Sequence, residues 1–219
     1  MNELLNRLKV LSTSSLSDAN KSIRVLDGGI RKIGNSEGMV GLARVVSCGD
    51  DFLNVLSSLN EASAGEVLVV EARSSTRAVL GSLFCSEAKR RGLSGVIVDG
   101  PIRDVACIEG LNFPVYARNT CPCAGASSKL SNTFEPVVVG GVMVSSGDIV
   151  VGDKDGVVVG NVNFFQSVVD LAEEIERAEA FILKKLQNNV PLSKFLNLET
   201  HLKKIESGEE SVLQFKVDE

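Results

Sequence analysis

Arg103 and Asp104 stand side by side just after a short apolar run, Val96-Ile97-Val98, and the break Asp99-Gly100-Pro101. The β-branched run predicts a buried strand, and the Asp-Gly-Pro triplet predicts its end. A fixed cation and a carboxylate then fall at the carboxyl end of a strand, where α/β sheets bind ligands. An Arg can clamp a substrate carboxylate or polarise a carbonyl, and a neighbouring Asp can hold a hard cation such as Mg2+. The same two residues also suit a local ion pair plus a helix cap, because Asp104 precedes the apolar positions Val105, Ala106 and Ile108.

Gly81-Ser82-Leu83-Phe84 opens a predicted helix after the polar loop Arg73–Arg77. Free backbone N–H groups at such a start attract anions without a charged side chain, and a glycine lets a ligand approach the backbone closely. An ordinary loop-to-helix junction is the alternative. Further along, Phe165, Val168, Ala172, Ile175, Glu179, Ile182 and Leu186 form an alternating 3,4-spaced seam in which Glu179 is the only charge. A carboxylate there either reaches solvent or meets a cation or a partner, since unpaired burial is costly; equally, Ala178 could face the core with Glu179 flanking it. Lys89 lies in the polar run Lys89-Arg90-Arg91 and is no candidate for a Schiff base. The five cysteines, Cys48, Cys85, Cys107, Cys121 and Cys123, are scattered and odd in number, as in a protein with reduced thiols. Only Cys121 and Cys123 are close, and the single His201, with polar neighbours, reads as solvated, so a cysteine-based metal site is not expected.

The elements that must position these groups are legible in outline. The chain of 219 residues has no Pro/Gly/Ser-rich linker, so one domain (1–187) with a C-terminal extension (188–219) is expected. Helices are predicted at Met1–Lys9, after a possible cap at Ser17-Asp18, at Asp50–Asn60 and at Gly81–Arg91, the last stopped by Gly92. Strands are predicted at Gly38–Val46, Glu66–Val70, Gly95–Val98 and Pro114–Ala117, and valine-rich hairpins across Pro136–Gly160. Asn163–Gln187 reads as a long amphipathic helix, Thr120–Ser131 as a loop and Leu198–Glu206 as a helix. The net charge of −5, the short basic runs, one Tyr and no Trp argue against a nucleic-acid partner. No apolar run approaches eighteen residues and Met1–Leu11 alternates polar and apolar residues, so no membrane span or signal peptide is expected and the location expected is cytoplasmic.

The motifs together resemble a known family. Gly81 at a helix start, the phrase Asp99-Gly100-Pro101-Ile102-Arg103-Asp104, Leu16–Ala19, Asp27–Arg31, Pro114–Arg118, Val139–Val142 and Ser146–Val157 occur in the family's order over residues 10 to 187. That family, RraA-like, contains the 4-hydroxy-4-methyl-2-oxoglutarate/4-carboxy-4-hydroxy-2-oxoadipate aldolases and the regulator of ribonuclease activity A; its members were formerly named demethylmenaquinone methyltransferases. The resemblance implies a swivelling β/β/α fold, an α-β-β-α sandwich, assembled as a homotrimer or homohexamer. It implies a divalent cation (Mg2+ or Mn2+) at Asp104, and a small 2-oxo acid substrate held by Gly81, Ser82, Leu83, Phe84 and Arg103. It also implies an acid from a neighbouring subunit, for which Glu179 is suitably placed along the chain. The activity implied is class II aldolase or oxaloacetate decarboxylase chemistry. One departure stands out: where the aldolases carry an acid three residues after the Asp of the Arg-Asp pair, this chain has Cys107, and the loop Cys121–Lys129 lacks the usual Arg and extra Gly. The loop change weakens the recognition of a second carboxylate, and the loss at Cys107 favours the alternative, a non-catalytic regulator that binds and inhibits a ribonuclease or another protein. The retained Arg103 and Asp104 favour the lyase.

Overall fold

The computed structural model describes residues 1–130 and 135–216. Eight strands form one curled sheet in the order β1 (Arg24–Val25), β10 (Val157–Gly160), β9 (Ile149–Gly152), β3 (Met39–Ser47), β4 (Glu66–Glu71), β5 (Gly95–Ile102), β6 (Val115–Thr120) and β2 (Arg31–Ile33). The centre, β3 through β6, is parallel, and the flanking strands pair antiparallel.

Side chains alternate across this sheet with the strand period of two, and the alternation builds three cores. Val67, Val69, Ile97 and Tyr116 point inward to meet Val150, Val157 and Val159 from the other limb. The hairpin β7 (Val137–Val139) and β8 (Val142–Val144) fills the same interior. On the outside, Leu68, Val70, Val96 and Val98 pack against α3 (Leu53–Glu61), α4 (Ser82–Arg90) and α5 (Val105–Glu109). Ile149, Val151 and Val158 are covered by α1 (Asn2–Leu8), α2 (Thr13–Ala19) and α6 (Val162–Gln187). Helices therefore clothe both limbs of a folded-over sheet, which is the α-β-β-α sandwich. Beyond α6 come a 3-10 turn (Leu192–Phe195) and α7 (Leu198–Glu206), none of whose residues is buried. His201, expected to be solvated, is half-buried there.

Two local expectations are corrected. Strand β5 does not stop at Val98 but runs to Ile102, with a register shift between Val98 and Pro101. Pro101 is tolerated in this central strand because the bulge spares it a ladder donor. The helix α2 is capped by Ser12, whose side chain accepts from Ser15 N, while Ser17 and Asp18 lie inside it. Two acids from distant elements reinforce that start: Glu176 accepts from Ser12 N at 2.8 Å and Asp153 from Thr13 N at 2.7 Å. Elsewhere the glycine stop after α4 holds, with Gly92 at φ +77°. Ser131, the end of the predicted loop, lies outside the described residues. No helix among the described residues is long and apolar enough to cross a membrane.

Candidate functional site

The carboxyl end of β5 delivers Arg103 and Asp104 to the mouth of a small pocket of about 60 Å3. Asp104 takes the left-handed conformation, φ 61° and ψ 36°, at the start of α5. For a residue other than glycine this is a strained backbone, of the kind that persists where the surroundings impose it. The surroundings here are the start of α4. Asp104 Oδ2 accepts from Ser82 N at 3.2 Å and from Ser82 Oγ at 3.1 Å. The carboxylate makes no cap bond in α5, the helix it precedes. The cap expected of Asp104 therefore exists, but on a helix 22 residues earlier in the chain.

Gly81 makes this approach possible. A Cβ at residue 81 would stand 2.7 Å from Asp104 Oδ2 and 3.1 Å from Arg103 Cγ, so any side chain would push the pair away. Arg103 Nε lies 3.8 Å from Asp104 Oδ2, too far for a hydrogen bond, and its side chain remains 43% accessible. The guanidinium is thus held near the carboxylate without being consumed by it. The α4 start offers less to an anion than its sequence implied. Ser82 N is engaged with Asp104, and Phe84 N and Cys85 N both donate to Gly81 O at 3.1 Å. Among the described residues Leu83 N is the one donor of this turn left open. Ser82 sits behind Asp104, whereas Gly81, Leu83 and Phe84 line the pocket, Leu83 at its exposed lip. Cys85, one turn on, is buried, and burial pushes its thiol up to about 12, with Asp104 adding to the effect. It is a packing residue and not a nucleophile.

The rest of the pocket is apolar: Phe52, Ala78, Val79, Leu80 and Ala124 join Phe84. Phe52 and Phe84 meet edge to face with centroids 5.6 Å apart. Two consecutive acids, unnoticed in the sequence, hold these walls. Asp50 accepts from Ser75 Oγ at 2.8 Å and Thr76 N at 2.7 Å, fastening the loop before α4. Asp51 accepts from Leu53 N at 3.0 Å and from Ser128 N and Lys129 N at 2.8 and 2.9 Å, fastening the loop after β6. These bonds hold both carboxyls below the usual range, with Ser75 the main cause for Asp50 and Leu53 N for Asp51. Apart from Leu53 N, two residues on from Asp51, their partners are 25 to 78 residues away and leave no local pattern.

A second charged cluster lies inside the curl. Asp99, fully buried, is paired with Arg118 Nε and accepts from Gly140 N at 2.8 Å. Arg118 Nη2 continues to Asp27 Oδ2 at 2.8 Å, and this guanidinium holds the Asp27 carboxyl below its ordinary value. This network seats the Asp27–Ile30 loop and the Gly140 turn on the ends of β5 and β6. It explains why Asp99 does not end its strand: its side chain is anchored by tertiary contacts.

Glu179 is half-buried on α6, and the seam it belongs to faces the core at Phe165, Val168, Ala172 and Ile182. It does not line the pocket of Arg103 and Asp104, and α6 packs on α2 and α1, the helices of the other limb. Within one chain these candidates are not brought together. Cys107 is exposed on the first turn of α5, its N donating to Asp104 O at 3.0 Å.

As a cation site the oxygens are few. Among the described residues no three His, Cys, Asp or Glu side chains gather into a metal-binding group. Asp104 Oδ1 has no protein partner among the described residues, and Ser82 Oγ adds a second hard oxygen nearby. That donor set fits a largely hydrated Mg2+ or Mn2+ that also takes oxygens from a ligand, the usual habit of Mg2+, and not a closed cage.

The RraA-like family model, described as Aldolase/RraA, matches residues 13–159. That span holds Gly81, Arg103 and Asp104 and ends before Glu179. A Halalkalibacterium halodurans protein provisionally named 4-hydroxy-4-methyl-2-oxoglutarate aldolase is 36% identical over 159 residues, 72% of this chain and 76% of that one. The crystal structure of Streptomyces coelicolor RraAS2, titled an unusual member of the RNase ES inhibitor RraA protein family, is similar with a TM-score of 0.72 at 32% identity, covering 83% of this chain and 96% of the other. An uncharacterized Pseudomonas syringae pv. tomato protein is similar with a TM-score of 0.77 at 25% identity, over 89% and 96%.

Proposed function

Since the chain belongs to the RraA-like family, Aldolase/RraA, we propose that it is a divalent-metal-dependent lyase that cleaves a small 2-oxo acid to pyruvate. The observation that carries this reading is Asp104 itself. Its strained backbone draws a carboxylate against Gly81 and beside an accessible Arg103, over a pocket whose other lining, among the described residues, carries no charge. A docking surface has no use for that arrangement.

The chemistry follows from where charge develops. Retro-aldol cleavage and decarboxylation of a 2-oxo acid both leave an electron pair that spreads onto the 2-oxo oxygen as pyruvate enolate. The Arg103 fork can hold the substrate carboxylate and stabilise that oxygen as it gains charge. Leu83 N offers a further donor to the carboxylate. Phe52 and Phe84 keep bulk water from the reacting carbons. A Mg2+ or Mn2+ ion held at Asp104 would supply Lewis acidity toward the 2-oxo oxygen. Asp104 positions, through one oxygen fixed by Ser82 and one left free. We read the assembly as a homotrimer or homohexamer in which Glu179 of a neighbouring subunit completes the site.

The deciding experiment is pyruvate release from oxaloacetate and from 4-hydroxy-2-oxo acids, with Mg2+ or Mn2+ against EDTA. Release that stops in EDTA supports the lyase; release unaffected by EDTA, or none from any compound, overturns it. Inhibition of a ribonuclease by direct binding is the second reading, favoured by the similarity to the Streptomyces member of the RNase ES inhibitor RraA family and by Cys107 in place of an acid. Binding to a ribonuclease that survives Asp104→Ala, without pyruvate release, would establish it instead.

A further inference from the structure

We propose that Cys121 and Cys123 form a peroxide-sensitive dithiol switch beside the pocket, closing to a disulfide that displaces Ala124. The chemistry is independent of the lyase reading. The cysteines differ in what they can do. Cys48 and Cys85 are buried, and burial pushes both thiols up to about 12. Cys123 is exposed and Cys121 half-buried, on the loop that follows β6. Residues two apart stand at most about 7 Å from one another even when extended. A disulfide spans Cα separations up to about 6.8 Å, so a modest bend lets the two sulfurs meet. The chain does bend at Pro122 and Cys123. From the loop before α4, Arg77 Nη1 donates to Cys123 Sγ at 2.9 Å. That contact orients the sulfur and sets a fixed cation beside it.

Both cysteines are tied to the pocket through their backbones. Cys121 N donates to Ile102 O at 2.9 Å, and Ile102 directly precedes Arg103. Cys123 O accepts from Ala78 N at 2.8 Å, and Gly125 N donates to Ala78 O at 2.9 Å. These two bonds hold Ala124 beside Ala78, and both alanines line the pocket. A disulfide closes a small ring around Pro122, whose φ is fixed by its own ring. The adjustment therefore falls on Cys121 and Cys123, and the bonds to Ile102 and Ala78 are the ones that yield.

The step balances with a hydroperoxide as the oxidant. The Cys123 sulfur attacks one peroxide oxygen, the O–O bond breaks, and the other oxygen leaves as water or an alcohol with the thiol proton. Arg77 stands beside the sulfur as that oxygen takes up negative charge. The Cys121 sulfur then attacks the sulfenic acid on Cys123; the S–O bond breaks, and water leaves with the Cys121 proton. The thiol pair gives up two electrons, the peroxide is reduced, and a thiol reductant reverses the bond.

The test treats the full chain, as it assembles in solution, with one equivalent of hydrogen peroxide and maps the cysteines by mass spectrometry. The expected product is a Cys121–Cys123 disulfide with Cys48, Cys85 and Cys107 still reduced. Amide hydrogen exchange at Ala78 and Gly125 should accelerate with it, and dithiothreitol should restore both. Cys121→Ser should stop at a sulfenic acid on Cys123 that dimedone captures, and Arg77→Met should slow disulfide formation at least about tenfold. Thiols that stay reduced, or a bond from either cysteine to Cys107 or to another chain, overturn the pairing. A disulfide that leaves exchange at Ala78 and Gly125 unchanged overturns the switch. Pyruvate release should fall about tenfold or more on oxidation, the cost of a misplaced wall, and unchanged release would also count against the switch. No release from the reduced protein would remove the lyase alone, with the thiol and exchange readouts still deciding the switch.

Discussion

Asp104 caps α4 from outside, its Oδ2 taking both the N–H and the hydroxyl of Ser82 at 3.2 and 3.1 Å. One carboxylate thus holds a structural bond and faces a pocket, and the two roles can be separated. Asparagine keeps an acceptor for Ser82 and tolerates the left-handed backbone. Asp104→Asn should therefore keep the wild-type urea midpoint while losing about a hundredfold or more in kcat. Asp104→Ala should lose the activity and also about 1 kcal/mol of stability, the usual worth of a cap. Full activity in the Asn variant would show that the negative charge is not used.

Arg103→Lys is expected to cost at least about tenfold in kcat/KM, or roughly 1.4 kcal/mol of transition-state binding. A planar fork spans a carboxylate and a keto oxygen together, and an ammonium cannot. Steady-state kinetics at saturating Mg2+ checks this, and wild-type values in the variant would make Arg103 a structural residue.

The wall loops should loosen in acid. Asp50 and Asp51 have folded pKa values held below the ordinary 3.8 by the hydrogen bonds they accept. Depressed carboxylates stabilise the fold fully above the unfolded value, and that stability disappears as pH falls through the lower folded value. Thermal midpoints between pH 6 and 3 should drop steeply below about pH 4 in the wild type. The double variant Asp50→Asn/Asp51→Asn should follow a flatter course; parallel curves would assign the acid sensitivity elsewhere.

Glu179 is tested by mixing. If it completes a neighbour's site, Glu179→Leu lowers kcat and leaves the oligomer intact. Subunits inactivated by Asp104→Ala should then regain part of the activity when reassembled with Glu179→Leu subunits, since some boundaries carry both intact groups. A monomer by light scattering, or no rescue, rules the shared site out. If the seam is internal, Glu179→Leu should stabilise the chain and leave activity unchanged.

What could be read in the sequence was whatever its neighbours determine. Val157-Val158-Val159 alternates inward and outward because strand geometry requires it, and Gly92 stops α4 because φ +77° suits glycine. The phrase around Arg103 and Asp104 and the glycine at residue 81 located the pocket. What escaped was decided across the chain. Asp99-Gly100-Pro101 has turn chemistry, yet Arg118 and the Gly140 amide hold Asp99 in a strand. The cap expected at Ser17-Asp18 forms at Ser12 instead, where Glu176 and Asp153 take the Ser12 and Thr13 N–H groups. Asp50 and Asp51, expected in the first turn of a helix from Asp50 to Asn60, instead precede α3, because most of their partners are far away in sequence.

The Asp99–Arg118–Asp27 ladder, buried at its Asp99 end, has a consequence for the order in which the molecule assembles. Its bonds join residues 19, 41 and 91 positions apart, so the network is complete only after β5 and β6 are paired and the Gly140 turn and the Asp27 loop have been brought in. Interactions of this kind are absent from a transition state built on local contacts, and their loss is felt on the way out of the native state. Arg118→Met should consequently leave the refolding rate nearly unchanged and accelerate unfolding, by about a hundredfold or more if stranding Asp99 costs the roughly 3 kcal/mol typical of a broken buried pair. The ladder is in that sense a latch on the lifetime of the folded state, and stopped-flow chevrons that slowed on the refolding limb instead would place it in the nucleus.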